Sequence, residues 1–390
     1  MKFDILAQKL IPHYSKFDVG NRLLFSGHSH QAWPDVALEG QVEAFEAAAA
    51  LVDGKWAEAF EKTEILRGYL RNYYDDPRGR YCLATSTHEL LVKWLSALDL
   101  RTKPKIVTTD AEFYTVFRQL RRLEEEGLDV REIPSLPLAG FTERLESELD
   151  DKTSAVIISR VYFESSLINS EITDVAALCR HHGIPLLIDD YHGTNVIPLS
   201  ITQAELQDCY LLLGGYKYLQ WGEGNCFLRF PEDSSLRPVV TGWFASFSTL
   251  NKPRDVYTVE YEGDQRFSAA TYDSTSQYRA ARVAGFFDEM GLTPSILSET
   301  YRARVSYLKE RFLKLDLDPS LVTLCHDYPI QDNAGFLSLR SPMAARLQEN
   351  LKQKGVYTDS RGEILRFGPA PYSTSAQIEE AMEILKTVAK

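Results

Sequence analysis

Between residues 80 and 230 the chain alternates short apolar, β-branched runs with longer amphipathic ones, and nothing else in the sequence constrains the fold so tightly. The strand-like runs are KIVTTD (105–110), SAVIISR (154–160), PLLIDD (185–190), CYLLLGG (209–215) and CFLRF (226–230). Helical periodicity falls at 87–98, 114–126, 141–150 and 172–182. Such strand–helix repeats build a mostly parallel sheet flanked by helices, so the expected class is α/β. In ITDVAALCRHHGIP, Thr173 or Asp174 can cap a helix that Gly183 stops before Pro185 opens the next strand.

Past residue 280 the pattern changes. TSQYRAARVAGFFDEMGL (275–292) and ILSETYRARVSYLKERFLKL (296–315) carry helical spacing on either side of a turn from Gly291 to Pro294. GFLSLRS, KGVYTDSRGEILRFG and a last helix from about Ser375 then suggest a smaller α+β domain. A length of 390 residues agrees with roughly two domains. The expected division is an N-terminal segment at 1–45, a large domain at 46–280 and a small domain at 281–390.

With 44% hydrophobic and 25% charged residues, neither disorder nor a membrane span is favoured, and a formal charge of −12 disfavours nucleic acid or an anionic membrane as partner. The N-terminal stretch MKFDILAQKLIPHYSKFDV lacks the pattern of a signal peptide, so the mature chain is expected to be this chain. Cys82, Cys179, Cys209, Cys226 and Cys325 are odd in number and scattered, which reads as reduced thiols in the cytoplasm. No pair of them has metal-ligand spacing, and no metal is expected.

The segment GGYKYLQWGEG (214–224) sets Lys217 between two tyrosines and four glycines. Ligands of open parallel sheets collect at the carboxyl ends of strands. Asp189 closes one strand candidate there, and Lys217 follows the next. A pyridoxal phosphate enzyme needs such a pair, the amine to bond the cofactor and the carboxylate to hold its pyridinium nitrogen. An isolated aspartate and lysine would equally fit a loop cap and a solvated cation. Gly214, Gly215, Gly222 and Gly224 shift the balance, because a surface lysine needs no such freedom of backbone. LATSTHELLVKW (83–94) leads through Thr85, Ser86 and Thr87 into an amphipathic helix, either an anion site or an ordinary N-cap. Phe113 could stack on a ring or belong to the core.

Taken together, these segments resemble a known family. YKYLQWGEG is similar to the YKYLNxGxG segment of kynureninases, within the fold-type I, class V aminotransferase-like group of pyridoxal phosphate enzymes. DDYHGTNVIPL resembles DLxHxxGxVxL, with Asp189 and His192 in step. RPVVTGWFASF resembles PxxxGWFGH and places Trp243 on a cofactor-contacting tryptophan. QRFSAATYDS resembles the RFxxGTPP region and puts Thr271 on a phosphate contact usually lent by the neighbouring subunit. EILRFGPAPYSTS is similar to the closing RxxPxPLYN stretch, whose arginine, here Arg366, holds the substrate carboxylate.

The resemblance implies a seven-stranded, mostly parallel sheet, pyridoxal 5'-phosphate as cofactor and a homodimer with a shared active site. Ser86, Thr87, Phe113 and Ser159 match further cofactor contacts. Tyr216 matches a tyrosine that contacts the phosphate and is a proposed proton donor. His28 and His30 are candidates for the substrate side chain. The chain departs from the family at Ala245 and Ser246, at Tyr272 and Asp273, at GHSHQ (27–31) and at Phe163 and Glu164. Parts expected around the cofactor are kept, and parts near the far end of the substrate are not.

The reaction implied is hydrolysis of the Cβ–Cγ bond of kynurenine or a related β-acyl amino acid, giving alanine and an acid. Transamination of a small amino acid needs the same lysine, aspartate and arginine, and a noncatalytic ligand-binding protein would keep the same fold. Cysteine desulfuration requires a nucleophilic cysteine shortly before the arginine, and residues 350–366 contain none. Cys325, in an apolar run, reads as inert.

Overall fold

The computed structural model describes residues 1–253 and 258–389. Its central sheet has seven strands: β1 (Arg80–Ala84), β2 (Lys105–Thr109), β3 (Asp129–Ile133), β4 (Thr153–Ser159), β5 (Leu186–Asp189), β6 (Tyr210–Gly214) and β7 (Cys226–Phe230). They lie in the order β1-β7-β6-β5-β4-β2-β3. β7 runs antiparallel to both of its neighbours, and the other pairings are parallel. The α/β expectation and the mostly parallel, seven-stranded sheet therefore hold.

Side-chain alternation divides the sheet between two apolar layers. Ile158, Ile188 and Leu213 face one core. Ile157, Leu187 and Leu212 face the other. Helices cover both faces, which is why these strands read as continuous apolar runs. Leu90, Leu91 and Trp94 of the helix Thr87–Leu95 close one side. Val175, Ala176 and Cys179 of Ile172–His182 close the other. That helix starts at Ile172 behind Glu171, with no side-chain cap, so neither Thr173 nor Asp174 caps it. Gly183 does end it, in the left-handed conformation at φ +65°. β3 was not apparent in the sequence because it is an edge strand, and its residues Arg131 and Glu132 are exposed.

The smaller C-terminal α+β domain has an antiparallel sheet of β8 (Thr323–Leu324), β9 (Leu337–Arg340), β10 (Asp359–Arg361) and β11 (Ile364–Phe367), in the order β10-β11-β9-β8. Helices Pro294–Leu313, Ala344–Gln353 and Ser375–Val388 pack on it around a separate core. The N-terminal stretch ties the two bodies together. Phe3, Leu23 and Phe25 enter the small core, whereas Leu10, Tyr14 and Val19 enter the large one. Among the described residues no helix is long and apolar enough to cross a membrane.

Candidate active site

The carboxyl ends of β4, β5 and β6 open on a cavity of about 290 Å³. Eight of the expected site residues line it: Ser86, Thr87, Phe113, Ser159, Asp189, His192, Tyr216 and Lys217. They arrive from five separate segments. Strand register brings the first pair together, since Ser159 and Asp189 are direct partners on neighbouring strands. The doublet at 189–190 then splits. Asp189 turns to the cavity and accepts from the Tyr191 N–H at 2.9 Å. Asp190 turns inward, where Arg160 Nη2 donates to it at 3.0 Å and Tyr74 OH at 2.6 Å. That buried ion pair fixes the loop on which Tyr191 and His192 stand.

Lys217 follows β6 on a loop whose glycines have specific jobs. A Cβ on Gly214 would lie 2.1 Å from the Tyr191 ring, so only glycine lets that ring reach the cavity wall. Gly224, at φ +87°, turns the chain back towards β7. Lys217 is 6% exposed, and its Nζ stands 2.7 Å from His192 Nε2. The same amine lies over three aromatic rings, 4.6 Å from Tyr191, 5.4 Å from Phe113 and 6.0 Å from Tyr216.

Burial governs the protonation of the whole cluster. It pulls Lys217 well below the ordinary lysine range, Asp189 opposing the shift and Arg366 adding to it. It raises the Asp189 carboxyl, against the Tyr191 N–H and the Lys217 charge. His192 is driven far down by burial, then by Lys217, Arg366 and His28. The amine beside a neutral imidazole is thus available as a nucleophile and base.

Arg366, on β11, stands differently from the expectation. Its guanidinium is 3% exposed and already engaged, Nε to Asp359 Oδ1 at 2.8 Å and Nη2 to Asp359 Oδ2 at 2.6 Å. Nη1 donates to the Phe163 carbonyl. His28 is corrected too: fully buried, it stacks on Phe336 at 4.7 Å and shares Asp359 Oδ1 at 2.8 Å from its Nε2. A ring sealed in that way supports Arg366 and cannot reach a substrate side chain. His30, by contrast, is largely exposed, stacks on Tyr216 at 4.7 Å and points Nε2 at Glu223, 3.6 Å away, on the cavity rim.

Arg366, His28 and His30 are not among the residues that line the cavity, and Trp243 and Thr271 stand away from it altogether. Trp243 is 45% exposed and packs on Phe244 and Phe247, and Thr271 is exposed. For Thr271 that agrees with a role on a neighbouring subunit. For Trp243, the turn Trp243–Ala245 leads the ring to the surface, so within this chain it does not meet the cavity.

Asp359 and Glu112 were missed. Asp359 had a signal: it is the cross-strand partner of Arg366 on the hairpin β10–β11, around Gly362 at φ +53°. Glu112 had none beyond its place next to Phe113.

The contents of the cavity match pyridoxal phosphate in kind. A buried amine faces a buried carboxylate, and aromatic rings stand beside them. Hydroxyls gather at a helix start, where Ser86 Oγ accepts from Glu89 N at 3.2 Å. His192 Nδ1 is a buried polar atom without a partner among the described residues.

Comparison with solved structures agrees. The structure superposes on the cystine C-S lyase C-DES, in complex with its reaction product cysteine persulfide, at a TM-score of 0.78, 18% identity and coverage of 94% of this chain and 98% of that one. For a cysteine desulfurase from Thermococcus onnurineus NA1 the TM-score is 0.80, at 14% identity and 98% coverage of both. The fold is that of the fold-type I pyridoxal phosphate enzymes. The pattern of the family described as "Kynureninase C-terminal domain" matches residues 303–385 of this fold-type I chain. Over 341 residues, 86% of each chain, it is 23% identical to the "Uncharacterized aminotransferase YcbU" of Bacillus subtilis (strain 168). A mitochondrial cysteine desulfurase of Candida maltosa is 26% identical over 47% of this chain and 39% of its own length.

Proposed function

We propose that this chain is a pyridoxal phosphate-dependent enzyme of the class V aminotransferase type, acting on a small amino acid as a cytoplasmic homodimer. The observation that carries the reading is the buried Lys217 amine, held at low proton affinity beside neutral His192, at the end of the strand that follows Asp189. Bound in the cavity, the cofactor supplies an aldehyde for the amine and a conjugated ring that takes up the electron pair released at Cα.

The chain's own residues do the rest. Asp189, a buried carboxylate lining the cavity, would keep the cofactor's ring nitrogen protonated. Ser86, Thr87 and the free N–H groups of the helix start hold the phosphate. Lys217 Nζ, with its low proton affinity, would take the Cα proton and return it. His192 Nε2, at hydrogen-bond distance, fixes the amine on one side of the cavity. Arg366, oriented by Asp359, offers its remaining N–H groups to the substrate carboxylate. Phe113, Tyr191 and Tyr216 keep water from the amine. The dimer is supported by the position of Thr271 and Trp243, which have a site role only if they reach a neighbouring subunit.

A second reading has its own support. The kynureninase-type match at 303–385 covers the Asp359–Arg366 hairpin, and it favours hydrolysis of a β-acyl amino acid to alanine and an acid. Cysteine desulfurases are among the matched proteins, but the cysteines of this chain do not favour desulfuration. Cys325 is partly buried, and burial raises its thiol pKa.

The test is to incubate the purified protein with pyridoxal phosphate and record a visible band that Lys217→Ala abolishes. Amino acids with keto-acid acceptors, and separately kynurenine and 3-hydroxykynurenine, are then supplied. Keto acid formed from an amino donor supports transamination, and alanine with an anthranilate supports hydrolysis. A Lys217→Ala protein that retains band and turnover would refute both.

A further inference from the structure

Against the cavity wall stands a buried carboxylate that neither reaction employs. Glu112 is 6% exposed and fully satisfied. Its Oε1 accepts from Thr109 Oγ1 at 2.7 Å and from Ser159 N at 3.0 Å, and its Oε2 accepts from Ser159 Oγ at 2.6 Å. Ser159 lines the cavity and is the cross-strand partner of Asp189. A serine hydroxyl has one proton and two lone pairs. Because the proton goes to Glu112, lone pairs are what Ser159 has left for the cavity.

We infer that Glu112 is a positioning residue that makes Ser159 an acceptor at the cavity wall, so that the bound cofactor's ring hydroxyl is kept in its protonated form. The inference rests on the pyridoxal phosphate reading. An acceptor beside a titratable oxygen favours the protonated state, whereas a donor favours the anion. The charge that bears on Glu112 is Asp189, and Glu112 in turn bears on Tyr162. Burial raises its own pKa to about 7, with Asp189 adding to the rise and the Ser159 and Thr109 hydroxyls opposing it. Above that value Glu112 carries the charge that claims the serine proton.

The test reads the two visible bands of the reconstituted protein at pH 8.5, one for each protonation state of the cofactor, with no turnover needed. In Glu112→Gln the amide N–H donates to Ser159 Oγ and frees the serine proton for the cavity. The band ratio should then move about fivefold towards the deprotonated form, the weight of one hydrogen bond. In a Ser159→Ala background the same substitution should leave the ratio unchanged. Ser159→Ala alone gives an independent sign: loss of an acceptor moves the ratio towards the deprotonated form, and loss of a donor moves it the other way. An unchanged ratio in Glu112→Gln, an equal shift with and without Ser159, or the opposite sign in Ser159→Ala overturns the inference while leaving the cofactor reading intact. A wild-type protein without any visible band overturns both.

Discussion

Acidification should unlock this protein through His28. The ring is buried between Phe336 and Gly368, and its Nδ1 has no partner among the described residues. Burial is the largest influence and lowers its pKa from 6.5 to about 4. The Asp359 hydrogen bond opposes that shift, and the Arg366 charge adds to it. The unfolded chain therefore takes up a proton near 6.5, whereas the folded chain waits until about 4. Stability from this group is complete above about pH 6.5, is lost as the pH falls towards 4, and loses nothing more below. At about 1.4 kcal/mol per pH unit the whole gap is worth about 3 kcal/mol. About 2 kcal/mol of it disappears between pH 7 and pH 5. Urea unfolding at these two pH values, at one fixed protein concentration, measures the loss. His28→Asn removes the titration, so its loss over the same interval should be smaller by that amount. Equal losses in the two proteins would refute the argument, because the pH dependence would then belong to other groups.

Asp359→Ala should destabilise the protein by about 3–5 kcal/mol in the same assay, since it strands the Arg366 guanidinium in the interior; Asp359→Asn, which keeps one acceptor, should cost less. Gly214→Ala should cost stability and disturb the cavity together, because its Cβ would meet the Tyr191 ring at 2.1 Å; a variant of wild-type stability and cofactor affinity would show that Tyr191 can give way. Thr271→Ala should weaken pyridoxal phosphate binding about tenfold, in the range of one charge-assisted hydrogen bond. Mixed dimers of Thr271→Ala and Lys217→Ala chains should regain one intact site in two, as turnover would show.

Much of this architecture could be read from the sequence because each side chain obeys one local rule. The central strands are covered on both faces, so they appear as apolar runs, and β7 at 226–230 coincides with its sequence reading. Asp189 and Lys217 were legible because strand ends place them, whatever the loops do afterwards. Edge strand β3 was not, since a strand with one neighbour tolerates Arg131 and Glu132. His28 looked like a loop histidine free for substrate, and nothing local shows that β10 and Phe336 close over it. Such burial is a long-range fact: His28 and Asp359 lie 331 residues apart. The surface position of Trp243 was out of reach in the same way, because a motif places a residue in the chain but not on the side of the turn it will take.

The Asp359–Arg366 pair bears on which reaction the site favours. Burial alone would raise Asp359, yet the hydrogen bond from His28 and the hydrogen bonds and charge of Arg366 hold it far below the ordinary carboxylate range. The guanidinium is thus half-neutralised before any substrate arrives, and Nε with one Nη2 hydrogen is spent. On the proposed reading, a substrate carboxylate would bind through the remaining N–H groups, with less net attraction than a free arginine would give. What the pairing supplies is orientation: a planar fork fixed from behind by Asp359 and from one side by Phe163 loses little entropy when the carboxylate binds. On that reading the site would select on the position of the carboxylate relative to Cα and leave the side chain to the rim, where His30, Tyr216 and Glu223 meet. The reaction's identity therefore turns on what that rim accepts, and the substrates that distinguish transamination from hydrolysis differ at that end.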